Sequence, residues 1–106
     1  MSYEAFIERA DSQPGITLAE WETYVARDHE LKWQNEARVT SPSGDVVVMP
    51  TPHCAIWIGA RGATALFCWS RNAVAFERPT PESIAKAKKI AAALRASVVG
   101  EEGEKL

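Results

Sequence analysis

His53, Cys54 and Cys68 carry the most reactive side chains of this sequence, and the first two are neighbours in the stretch "PTPHCAIWIG". A thiolate nucleophile needs a base within hydrogen-bond reach and a lowered thiol pKa. A structural metal needs close ligand pairs such as CxxC. The chain holds no such pair, and neighbours in a strand point to opposite faces. If Ile58 pairs with Ala63 across the "GARG" turn, Cys54 falls opposite Phe67 and His53 opposite Cys68. That register disfavours a disulfide and makes a Cys-His contact geometrically feasible. No residue stands out to orient the imidazole, and a buried cysteine usually serves as a small hydrophobe. The expectation is therefore structural: no catalytic residue, no metal site, and two thiols of a reducing compartment. His29, in "RDHEL", reads as a solvated residue after a helix C-terminus. The glycines of "GARGA" read as a turn, since no Lys-Ser/Thr pair or helix follows to make a phosphate cradle.

The elements that must position these residues follow from pattern. Residues 3–8, "YEAFIE", read as a first strand. "TLAE" is a capping box that opens a helix from Leu18 to Arg27, with Leu18, Trp21 and Val25 on one stripe. From Leu31 to Met49 the chain reads as one hairpin around "SPSG". "HCAIWI" and "ATALFCW" form a second hairpin whose arms are apolar on both faces and suit the middle of a sheet. "AVAFE" completes a meander. Thr80 caps a helix over 81–96, with Pro81 in the first turn and Ile84, Ala87, Ala91 and Leu94 facing the sheet. On this reading Lys86, Lys88 and Lys89 stay in water, and "SVV" makes a short last strand. Trp21 and Trp57 read as core, whereas an exposed Trp33 or Trp69 would be a binding anchor. The fold expected is α+β: an antiparallel sheet of about five or six strands packed against two helices.

The chain has 106 residues, 46% of them hydrophobic and 25% charged, enough for one domain over 1–106 with a core of its own. No stretch approaches the roughly 18 apolar residues of a membrane span, and the start lacks the pattern of a signal peptide. A cytoplasmic protein is expected. A net charge of -2 implies no attraction to nucleic acid or membranes, but the charges are segregated. Residues 1–37 hold eight acids against three bases, and 38–95 reverse this with eight bases against three acids. The bases Lys86, Lys88, Lys89 and Arg95, with Arg71 and Arg78, read as solvated faces. The acids likewise need no role beyond solubility.

The segments "MSYEAFIER", "ITLAEWETYV", "PSGDVV", "AIWIG" and "IAAALRASVVGEEGE" together resemble a family of short bacterial proteins with an MSYxxxIxR start, an ITxxEW helix, an AxWxG strand and a G-[DE]-EGE end. The resemblance spans nearly the whole chain. Its shared positions are Trp21, Ala55, Trp57, Gly59, Gly100, Glu102, Gly103 and Glu104, and the chain departs at Leu106, where an aromatic is common. Some members look like immunity partners of secreted or contact-delivered toxins. The resemblance thus implies a non-enzymatic protein without cofactor, a monomer or homodimer that binds and neutralises a cognate toxin domain. Many such toxins are basic nucleases, toward which acids on the inhibitor would steer encounter. The partner-binding residues expected are Glu101, Glu102 and Glu104, with Glu20, Glu22, Asp28 and Glu30 as a second cluster. The competing readings are a homo-oligomeric structural or ligand-binding module and a small Cys/His enzyme.

Overall fold

Alternation of side chains sets the frame of the molecule. In β1 (Glu4–Glu8), Ala5 and Ile7 are fully buried while Phe6 is half-buried on the opposite face, the signature of a strand with one face on a core. The computed structural model describes residues 3–106, so Met1 and Ser2 of the expected N-terminal motif lie outside the described residues. The remaining elements are α1 (Leu18–Arg27), β2 (Leu31–Trp33), β3 (Glu36–Thr40), β4 (Val46–Pro50), β5 (Cys54–Ile58), β6 (Thr64–Ser70), β7 (Ala73–Glu77), α2 (Pro81–Ala93) and β8 (Ser97–Val99). Six strands form an antiparallel sheet in the order β2-β5-β6-β7-β1-β8, and β3 and β4 form a separate two-stranded sheet. The fold is α+β, as expected.

Both helices contribute to one core on the inner face of the sheet. Trp21 and Val25 of α1 and Ala87, Ile90 and Ala91 of α2 join Ala5, Ile7, Ala55, Trp57, Phe67, Val74 and Phe76. Each helix begins on the capping device its sequence announces. The Thr17 hydroxyl accepts from the Glu20 amide at 3.1 Å while the Glu20 carboxylate accepts from the Thr17 amide at 3.0 Å. Thr80 and Ser83 make the same reciprocal pair at 3.1 and 2.8 Å. The second helix ends at Ala93 rather than at 96, and Arg95 takes a left-handed φ of 56° on the way to β8.

Three expectations are corrected. The first hairpin does not include Leu31–Trp33, which instead pairs with β5 as an edge strand of the main sheet. Leu31 is buried there, and burying it outweighs continuity with the next strand. The second correction is the β5-β6 register: Gly59 donates to Ala63 at 2.7 Å, so Gly59 belongs to the ladder, and Ile58 pairs with Thr64. Only Ala60–Gly62 form the turn, with Arg61 and Gly62 both at positive φ. Cys54 therefore faces Cys68, with Cα atoms 4.0 Å apart, and the two are disulfide-bonded rather than free thiols. The third correction is Lys86, which is only 6% exposed. It lies on the stripe that runs through Ser83, Ala87 and Ile90, three or four residues apart, and so points inward.

The C-terminal "GEEGE" is folded onto the start of the chain. Glu101 accepts from the Glu4 amide at 2.7 Å, and the Tyr3 hydroxyl donates to Glu104 at 2.8 Å. Any Cβ at Gly100 would overlap Glu104 and the Tyr3 hydroxyl. The two ends quoted as motifs are thus one contact.

Candidate protein-docking surface

The β3-β4 hairpin stands off the body. The turn is tight: Ser41 donates to the Asp45 carbonyl at 2.8 Å, the Asp45 amide returns a bond to the Ser41 hydroxyl at 3.1 Å, and Gly44 supplies a φ of 91°. At the root, the Thr51 amide and hydroxyl bond the carbonyls of Asn35 and Gln34. Between root and turn the side chains meet solvent. Val39, Val46, Val47, Val48 and Met49 are each 47 to 58% exposed. The molecule measures 48 Å along its long axis against 27 Å across.

Register sorts the arm into two faces. Ala37 pairs with Met49 and Val39 with Val47, which makes one face wholly apolar; the other alternates Glu36, Arg38 and Thr40 with Pro50, Val48 and Val46. Exposed apolar residues scattered singly need no explanation, but a contiguous stripe on a projecting hairpin marks an interaction surface. Near the root lies Trp33, which is 41% exposed and edge-on to Trp21. Glu22, Trp33, Asn35 and His53 line a shallow hollow of about 210 Å³ there. An aromatic anchor beside a hollow and a free carboxylate is the anatomy of a binding hot spot.

His53 holds this root through its backbone. Its φ of 64° is left-handed, and its carbonyl accepts from the Trp69 amide at 3.1 Å and from the Trp21 indole at 2.9 Å. The imidazole stands edge-on to Trp69 with centroids 5.7 Å apart. A sulfur in a disulfide is no thiolate, so the residues of the opening motif hold the fold here: His53 as a backbone hub, Cys54 and Cys68 as a cross-strand staple. Among the described residues, no three of His, Cys, Asp and Glu converge as metal ligands.

Of the seven acids expected at the interface, five are tied into the chain. Glu20 is gripped by Arg9, whose hydrogen bonds, followed by that of the Thr17 amide, lower its pKa to about 2. Asp28 and Glu30 come together on the Lys86 ammonium at 2.8 and 2.6 Å, and the Tyr24 hydroxyl donates to Asp28 at 2.7 Å. Burial alone would raise the Asp28 carboxyl; the bonds from Lys86 and Tyr24 outweigh it and lower its pKa. Burial would likewise depress Lys86, yet its two carboxylate partners hold its pKa up. Glu101 and Glu104 serve the terminal contact described above. Glu22 and Glu102 are exposed, and their carboxylates are free of such ties among the described residues. Only Glu22 lies at the hairpin root.

The sequence reading passed over the arm itself. Its signal was "VVVM", an uninterrupted apolar run in an arm whose partner strand alternates; a strand that packs one face on a core alternates too. Comparison with known proteins finds no matching family model, no matching curated protein and no matching solved structure.

Proposed function

We propose that this protein acts by binding rather than turnover, as an immunity protein that docks on a toxin domain through the β3-β4 arm and its root. The observation that carries the reading is the arm: five large apolar side chains exposed to solvent on one hairpin, with exposed Trp33 near its root. Such a surface would lose its contact with water in a complex, and the aromatic anchor would supply a disproportionate share of the affinity. Glu22 beside it would steer a basic toxin and set orientation. The cytosol, where an immunity protein meets its toxin, is proposed from that role alone, because the Cys54–Cys68 disulfide removes the free-thiol argument for a reducing compartment.

The test is co-expression with the product of the gene immediately upstream. A stoichiometric complex that co-purifies and abolishes toxicity supports the reading. Survival of that complex when Val39, Val47 and Met49 are all changed to Ser would remove the arm from it.

A further inference from the structure

The sheet has a second face that no helix covers. Alternation places Lys32, Ile56, Leu66, Glu77 and Glu4 outward, and register aligns them. Lys32 pairs with Ile56, Ile56 with Leu66, and Glu4 with Glu77, while the Cys68 to Ala75 pairing sets Leu66 level with Glu77. One row across the sheet is thus basic at the β2 edge, apolar in the middle and acidic toward β1. The next row runs Cys54, Cys68, Ala75, Phe6 and Val99, uncharged across the strands, and ends on Lys105, which bridges Val99; Cys54 and Val99 are already buried within the chain.

No ion pair among the described residues ties Glu4 or Glu77. Glu4 and Glu77 stand directly opposite each other, an unfavourable like-charge pair. They border a dent of about 360 Å³ that Arg78 also lines. The Lys32 ammonium has no ion-pair partner among the described residues. A row that is basic at one end and acidic at the other complements its own copy once that copy is turned around.

We propose that this outer face is a homodimer interface, two copies stacking sheet on sheet about a two-fold axis parallel to the strands. Placed over β6, the axis reverses strand order and keeps the level, so Lys32 of each copy comes over Glu4 of the other, Ile56 lies over Glu77, and Leu66 and Cys68 meet their own copies. Aligned stacking of two twisted sheets about 10 Å apart is a standard arrangement, and a two-fold interface needs such self-complementarity. The five strands that overlap, at about 4.8 Å spacing, give a face of on the order of 400 Å², about half the roughly 800 Å² per partner of a standard interface, so the dimer belongs to the weak, micromolar class. The proposal does not rest on the immunity reading, since the arm and its root are distinct from this face.

Sedimentation equilibrium of the full chain across the micromolar range tests it. Its mass is expected to rise toward twice 11.6 kDa. Leu66→Glu should give a monomer with unchanged circular dichroism. Lys32→Glu should weaken the dimer about tenfold or more, and adding Glu4→Lys should restore it, a rescue that a folding defect would not give. A wild-type monomer, a dimer indifferent to Leu66→Glu and Lys32→Glu, or a dimer abolished by Val47→Lys on the arm would each overturn the proposal.

Discussion

Lys86→Met would strand Asp28, an 11% exposed carboxylate, without its cation, and removing one member of a buried pair typically costs about 3 kcal/mol. Urea denaturation should show that loss, and Asp28→Asn in the same chain should recover part of it. The acid side of the stability curve depends on the same groups. Glu20, Asp28 and Glu30 all have lowered folded-state pKa values, so each contributes stability that is complete above its unfolded pKa and lost as pH falls through its folded one. For Glu20 that window runs from 4.5 down to about 2. Arg9→Met should flatten the thermal-stability profile within it, with little change in slope at neutral pH. Lys86 and Tyr24 have the opposite sign: their pKa values are raised, so their contribution is present below the unfolded values of 10.5 and 10.0 and fades as pH rises through the folded ones. The disulfide closes a separation of 14 residues, for which chain entropy gives about 3 kcal/mol. Cys54→Ala with Cys68→Ala, or reduction of the native chain, should lower the urea midpoint by the corresponding amount.

Gly100 illustrates how one residue can decide an element's position, because the last turn closes only where Glu104 and the Tyr3 hydroxyl pass against a bare Cα. Gly100→Ala should loosen the tail and cost about 1 to 3 kcal/mol through the lost terminal hydrogen bonds, read as faster amide exchange at Glu4 and Glu101. Capping, periodicity and turn chemistry made most elements legible in the sequence: both helices, the β5-β6-β7 meander and the short last strand lie where their patterns put them. The failures share a cause. The β5-β6 register turned on whether Gly59 sits in the loop or the ladder, a choice made by backbone geometry that composition does not reveal, and the cysteine pairing went with it. Assignment of Leu31–Trp33 to the main sheet depended on a contact with β5, more than twenty residues away. The docking surface was half legible: Glu22 and exposed Trp33 were flagged, but solvent exposure of the "DVVVM" run depends on the arm lying away from the body, which no local rule states.

The whole molecule carries its charges and apolar surface in separate places. Three of the eight acids in residues 1–37, Glu20, Asp28 and Glu30, are spent on Arg9 and Lys86, so the opposed charges along the chain are partly neutralised inside one fold. The exposed large apolar side chains lie mainly on the arm, with Trp33 near its root and Ile58 and Tyr3 elsewhere. No helix among the described residues is long and apolar enough to cross a membrane. The account stands most directly on one calorimetric titration, that of the upstream gene's product against wild-type protein and against Trp33→Ala. Loss of a central aromatic anchor is expected to weaken binding by about 30-fold, close to 2 kcal/mol, while Leu66→Glu on the far face leaves the affinity unchanged. Equal affinity for wild type and Trp33→Ala, or a loss confined to Leu66→Glu, would contradict the assignment of the arm and its root as the docking surface.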